Sequence, residues 1–169
     1  MILGGDMTIR WIENCSMSDI HLGHHSDLGG NTMLIRIQDP ATEFKPTKYP
    51  FREVYEFEFL DAEDEDGFDE DFKISDEQAA TIVGLLQKAL DNSMNVLVHC
   101  HAGICRSGAV VEVGTMMGFT ATDRYRQPNL RVKHKMMKVL GWTYDENEVS
   151  EGKGGTVSAG GIIIPFSGV

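Results

Sequence analysis

A chain of 169 residues fits one domain and is long enough to bury a hydrophobic core. Hydrophobic residues make up 41% and charged residues 24%, an ordinary globular balance, and no apolar run reaches the roughly 18 residues a membrane span needs. The net charge of −11 argues against binding nucleic acid or an anionic membrane through the overall field. The N-terminal MILGGDMTIR has no apolar core of a secretory signal. Three cysteines, Cys15, Cys100 and Cys105, make no disulfide framework. A cytoplasmic location is therefore the expectation.

The charge is unevenly placed. Asp61 to Asp71 (DAEDEDGFDED) holds eight acids and no base, which accounts for −8 of the −11. Arg124 to Lys138 carries six Lys and Arg and no acid, and reads either as a solvated helix face or as a local docking face.

In chain order, TIRWIE (8–13) reads as a short strand. The Ser-, Gly-, His- and Asp-rich stretch after it reads as loop with at most a helical turn. Within it, His21, His24 and His25 fall short of a metal site by spacing alone and read as surface histidines. MLIRIQ (33–38) alternates apolar and polar residues and stops at Asp39-Pro40, as a strand meeting a turn does. Three prolines make 40–52 a loop, and VYEFEFL (54–60) supplies a third strand. After the acidic segment, Ser75 and Gln78 have capping-box spacing, and apolar residues from Ala79 to Leu90 recur at helical intervals, so 76–90 is a predicted helix. NVLVHC (95–100) is a β-rich apolar run suited to a central strand. A helix over about 107–117 follows, and Pro128 opens another over about 129–140, stopped by Gly141. Alternating strands and helices predict an α/β fold with a single sheet of about four to five mostly parallel strands flanked by helices. The expected domain spans 1–143. The Gly-rich tail 144–169, with its apolar IIIPF, is left open among a disordered segment, an added edge strand and a docking segment.

The chemistry is concentrated in VHCHAGICRSG (98–108), a strand, a short loop and a helix start. Such a loop gathers backbone N–H groups that have no partner inside the helix, and the helix dipole adds positive charge at the same place. That nest suits a tetrahedral dianion. Gly103 permits the tight curve. Arg106 can lay two donors on the anion. Cys100 stands at the mouth, where the same groups favour a thiolate over the ordinary thiol of pKa ~8.5.

This stretch resembles the His-Cys-x5-Arg-Ser signature of protein tyrosine and dual-specificity phosphatases, and residues 32–140 are similar in layout to the small bacterial and viral members. The resemblance implies hydrolysis of phosphotyrosine, with phosphoserine and phosphothreonine as further substrates, in a protein or peptide partner. It implies Cys100 as nucleophile forming a cysteinyl-phosphate, with His101, Ala102, Gly103, Ile104, Cys105 and Arg106 as the phosphate loop. Ser107 would donate to the departing thiolate, and His99 would hold the loop and favour the thiolate electrostatically. No metal or other cofactor takes part. The general acid would be an Asp after the third strand: Asp61 is the best placed, with Asp64, Asp66 and Asp69 as alternatives. The C-x4-C-R-S spacing also resembles the loop of low-molecular-weight tyrosine phosphatases, which would make Cys105 a redox partner of Cys100. A rhodanese- or arsenate-reductase-like enzyme and a phosphate-binding module without activity are the competing readings.

Overall fold

The structure is a computed structural model that describes residues 10–26, 30–144 and 162–163. Its core is one five-stranded sheet in which every pairing is parallel. The strands are β1 (Trp11–Ser16), β2 (Thr32–Gln38), β3 (Glu53–Glu58), β4 (Asn95–Cys100) and the short β5 (Thr120–Ala121), ordered β3-β2-β4-β1-β5. Three helices lie between strands, α1 (Met17–Leu22), α2 (Asp76–Asp91) and α3 (Arg106–Met117), and α4 (Leu130–Val139) follows β5. β4 lies at the centre, as its apolar run requires, with β1 and β2 on either side.

The pleat sends alternate residues to opposite faces. Met33, Ile35 and Ile37 of β2 and Val96, Val98 and Cys100 of β4 join the larger core, under α2, α3 and α4. Leu34, Leu97, Cys15 and Ile20 form a smaller cluster on the other face. Each fully buried aliphatic side chain of this kind stabilises the fold by about 1.5–3 kcal/mol. α2 begins at the expected capping box, in which the Ser75 hydroxyl accepts from the Gln78 N–H and the Gln78 side chain accepts from the Ser75 N–H.

β1 departs from the sequence reading. It begins at Trp11 and runs on to Ser16, taking in polar residues that read as loop; residues 8 and 9 lie outside the described residues. Glu13 and Asn14 are buried, and parallel pairing with β4 carries the strand through them. α1 then forms a full capped helix on the Ser16–Asp19 capping box. His21 ends up on α1, its Nδ1 2.9 Å from the Pro46 carbonyl, away from any grouping with His24 and His25. Among the described residues, no group of three or more His, Cys, Asp or Glu could hold a metal ion.

Most of the basic stretch is paired rather than left as a solvated or docking face. Arg124 pairs with Glu13 and Asp19, Arg126 and Lys133 with Glu112, Arg131 with Asp64 and Glu70, and Lys135 with Asp76. Arg131 and Lys133 are buried. Of these pairs, only those of Arg131 join the basic stretch to the acidic segment Asp61–Asp71. In the tail, Ile162–Ile163 pairs antiparallel with Thr143–Tyr144 as a separate two-stranded ribbon and adds nothing to the main sheet; the other tail residues after Tyr144 lie outside the described residues. Among the described residues, no helix is long and apolar enough to cross a membrane.

Candidate active site

Cys100 ends β4 and is almost fully buried at the base of a cleft of about 310 Å³. Its Sγ accepts from the Gly103 N–H at 3.3 Å and lies 3.2 Å from the Ser107 Oγ. The loop from His101 to Cys105 is suspended by its carbonyls. That of His101 accepts from the Met17 N–H, that of Gly103 from the Asn14 side chain at 2.8 Å, that of Ile104 from the Gln127 N–H, and that of Cys105 from the Asn129 N–H. The amides of His101, Ala102, Ile104 and Cys105 have no acceptor among the described residues. Carbonyls tied outward and amides left free give the chemistry of an anion nest.

Gly103 makes this arrangement possible. Its φ is +77°, and a Cβ there would stand 2.3 Å from the Cys15 carbonyl carbon and 2.5 Å from the Ser16 nitrogen. Neither the conformation nor the space admits a side chain.

Arg106 opens α3 and is 5% exposed. Its Nη1 donates to the Asp39 carboxylate at 2.8 Å and to the Phe59 carbonyl at 2.7 Å. Its Nε is buried and has no acceptor among the described residues. The guanidinium is thus anchored at one end and retains an unsatisfied donor, which a buried charged group does not normally leave unmade.

Asp61 follows Phe59 by two residues and lines the same cleft as Cys100, together with Asp39, Leu60, Phe68, His101, Ala102, Cys105 and Arg106. Its Oδ1 accepts from the Asn129 side-chain amide at 2.8 Å. The alternatives are committed elsewhere: Asp64 pairs with Arg131 at 2.7 Å, Asp66 accepts from the Glu63 N–H, and Asp69 caps the 3₁₀ turn Glu70–Phe72. None of these three lines the cleft.

His99 lies on the opposite face of β4, fully buried. Arg36 Nε donates to its Nε2 at 2.9 Å, so Nδ1 carries the proton and donates to the Cys100 carbonyl at 3.3 Å. Burial, then the neighbouring Arg36 cation, lowers the His99 pKa to about 4. The ring is neutral near pH 7. Its contact with the loop is the hydrogen bond to the Cys100 carbonyl. Burial and the nearby Asp61 carboxylate raise the Cys105 pKa, so its thiol stays protonated. All three cysteines are free thiols.

Four contributors were not visible in the sequence: Asp39, which read only as a strand stop; Asn14, hidden in a presumed loop; Arg36, buried behind His99; and the Phe59 carbonyl. The polar residues share a signal, since each is a charged or amide side chain inside or bordering a strand, but the partners that tie them to the site are at least 47 residues away in the chain.

No protein-family model and no curated protein matches this chain. Among solved structures, it is similar to the human tyrosine phosphatase-like serine/threonine/tyrosine-interacting protein, with 20% identity and a TM-score of 0.50 over 76% of this chain and 89% of that one. It is also similar to OH1 from the Orf virus, a tyrosine phosphatase with triple substrate specificity, at 16% identity and a TM-score of 0.40 over 66% and 62% of the two chains. A third is Tk-PTP in the active form, at 15% identity and a TM-score of 0.41 over 78% of each. The single parallel sheet flanked by helices is the fold of the tyrosine and dual-specificity phosphatases, as the sequence resemblance implied.

Proposed function

We propose that the chain hydrolyses phosphotyrosine, and with it phosphoserine and phosphothreonine, in protein or peptide substrates through a cysteinyl-phosphate. One observation carries the proposal. The buried Cys100 sulfur, backed by the Gly103 amide and the Ser107 hydroxyl, shares a cleft with the Asp61 carboxyl and the anchored Arg106.

The free loop amides and Arg106 Nε hold the phosphate oxygens, and Cys100 attacks phosphorus as the thiolate. The S–P bond forms as the P–O ester bond breaks, and protonated Asp61 gives its proton to the departing oxygen. Water then attacks phosphorus, Asp61 takes one of its protons, and the S–P bond breaks. Ser107 donates to the released thiolate. The products are the dephosphorylated alcohol or phenol and inorganic phosphate. No step calls on a redox partner or a metal ion.

Turnover of p-nitrophenyl phosphate tests the proposal. Wild-type protein is expected to release nitrophenol in chelator-containing buffer and to be inhibited by vanadate, and Cys100→Ser to lose turnover to background. Wild-type rates in Cys100→Ser overturn the covalent route. Vanadate binding without wild-type turnover marks a binding module, and thiosulfate:cyanide sulfur transfer marks a rhodanese-like enzyme.

A further inference from the structure

Arg36 is a buried cation to which the proposed chemistry gives no task. It lies on β2 at 6% exposure. A buried guanidinium ordinarily has a carboxylate in contact. The carboxylate paired with Arg36 is that of Glu56, which stands 3.9 Å away on a side chain 52% exposed, beyond hydrogen-bond reach. Arg36 instead directs Nε to the His99 Nε2 at 2.9 Å and Nη2 to the Lys45 carbonyl, with its Cζ 5.0 Å from the centre of the Phe44 ring. Phe44 in turn meets the His99 ring edge-on, with centroids 6.2 Å apart. A desolvated charge is thus held by contacts that centre on one neutral imidazole.

A guanidinium does something here that a neutral donor does not. A hydroxyl or an amide both donates and accepts, so an imidazole facing one can adopt either tautomer. A guanidinium only donates, and it keeps its charge at every ordinary pH. Facing Arg36, the His99 Nε2 must accept. The proton then sits on Nδ1, which has the Cys100 carbonyl at 3.3 Å to receive it. Protonating Nε2 as well would break the bond to Arg36 and set two cations side by side out of water. Arg106 of α3 adds a second cation to the field at the ring, β1 places Cys15 opposite it in register, and Phe44 covers it from the loop after β2. The feature that favours a proton, the Cys100 carbonyl, is already met by the neutral ring.

The consequence passes into the phosphate loop through one peptide unit. The Cys100–His101 peptide is trans, as all the peptide bonds are. In such a planar unit the carbonyl and the N–H point in opposite directions. Fixing the Cys100 carbonyl on His99 therefore also aims the His101 N–H, one of the loop amides without an acceptor among the described residues. We infer that Arg36 is a positioning residue for the proposed reaction: by holding the His99 Nε2 as an acceptor, it keeps Nδ1–H on the Cys100 carbonyl and so keeps the His101 amide aimed for the anion. The inference rests on the proposed phosphatase activity and deepens it. Arg36 lines no part of the cleft and acts only through the ring.

Nitrogen-15 spectra of histidine-labelled protein test the tautomer without calling on activity. In wild-type protein His99 is expected to carry its proton on Nδ1, with Nε2 bare, at pH 7 and still at about pH 5.5, above its pKa of about 4. Arg36→Gln, whose amide can face the ring either way, is expected to give a mixture of tautomers and to lower kcat/KM for p-nitrophenyl phosphate by about 10-fold or more. Arg36→Lys keeps a donor that never accepts, and is expected to keep the wild-type tautomer and a rate within about 3-fold of wild type. In a His99→Gln background, Arg36→Gln is expected to cost less than about 2-fold more, since the ring it acts through is gone. A wild-type ring protonated on Nε2, an Arg36→Gln variant with both tautomer and rate unchanged, an Arg36→Lys variant as slow as Arg36→Gln, or a full further loss in the His99→Gln background each overturn the inference. Should Arg36→Gln fail to fold, the wild-type spectrum and Arg36→Lys decide by the same criteria. The two levels separate cleanly. The wrong tautomer in a protein that turns over p-nitrophenyl phosphate removes the role of Arg36 alone. The expected tautomer in a protein without turnover removes the phosphatase reading, and the positioning role with it.

Discussion

The two loops that meet at the cleft are held by different physics. The loop after β4 is positioned by backbone: its carbonyls are tied to β1, α1 and the segment before α4, and Gly103 lies against the backbone of Cys15 and Ser16 with no room for a methyl group. The segment from Asp61 to Lys73 is positioned by side chains. Buried Lys73 donates to the Asp64 and Asp66 carbonyls and pairs with Glu70. Arg131 holds Asp64, Glu70 and the Ile74 carbonyl. A backbone-built site tolerates almost no change of shape, whereas a side-chain-built one can adapt. The first carries the proposed phosphate nest, and the second carries Asp61, the proposed acid.

Glycine substitution breaks this comparison most sharply. Gly103→Ala adds a methyl group within 2.6 Å of three backbone atoms at a φ of +77°. The loop must shift, and a misplacement of about 1 Å in a catalytic constellation costs on the order of 10²-fold. kcat/KM for p-nitrophenyl phosphate is expected to fall by at least about that factor. Gly67→Ala in the acidic segment meets nothing within 4 Å and is expected to change the rate less than about 3-fold. Comparable losses in the two variants, measured with circular dichroism to confirm folding, would remove the distinction.

Asp61→Asn comes next. It keeps the shape of the loop and removes the transferable proton, so the loss is expected to depend on the leaving group. An alkyl phosphate is expected to slow about 10²- to 10³-fold and p-nitrophenyl phosphate, which needs little protonation, far less. Equal losses on both substrates, or none, would exclude Asp61 as the acid.

The contrast also governs what was legible in the sequence. Residues 95–108 could be read nearly residue by residue, because strand propensity, loop amides and helix start all act within a few positions. α2 was equally plain from Ser75, Gln78 and its apolar spacing. β1 was cut short because Asn14, Cys15 and Ser16 show no strand pattern until β4 lies beside them. Asp61 could be preferred from its place after β3, but the pairing of Asp64 with Arg131, 67 residues away, left no trace in the sequence. A pair of opposite charges that far apart leaves no register in the sequence.

A pH effect follows from the back of the loop. His99 has its pKa lowered from 6.5 to about 4 in the fold, while the unfolded chain binds a proton at the ordinary value. The unfolded state therefore holds more protons between these limits, and stability falls as pH drops from about 6.5 towards 4. A shift of this size corresponds to about 3 kcal/mol. Urea unfolding at pH 7 and pH 4.5 is expected to show a loss of about 2–3 kcal/mol attributable to this ring, reduced in His99→Gln. An identical acid loss in the variant would assign it to other groups, His134 among them, whose pKa is also lowered to about 4 by burial.

The smallest effect tests the side-chain-built loop itself. Arg131 is 8% exposed but its carboxylate partners Asp64 and Glu70 are largely in water, at 72% and 66% side-chain exposure. Ion pairs of that kind contribute little, about 0–1 kcal/mol. The Ile74 carbonyl differs: it is buried and accepts from both Nε and Nη2 of Arg131 at 3.3 and 2.9 Å. Leaving such an acceptor unmade costs about 1–3 kcal/mol. Arg131→Met is accordingly expected to lower stability by about that amount and to slow alkyl phosphate turnover only a few-fold, since Asn129 still holds Asp61. Arg131→Lys keeps the positive charge and loses the fork that spans Ile74. If the ion pairs position the loop, lysine restores wild-type stability. If the backbone carbonyl does, lysine behaves like methionine, and the acidic segment then depends on main-chain anchoring to a greater degree than its charge pairs suggest.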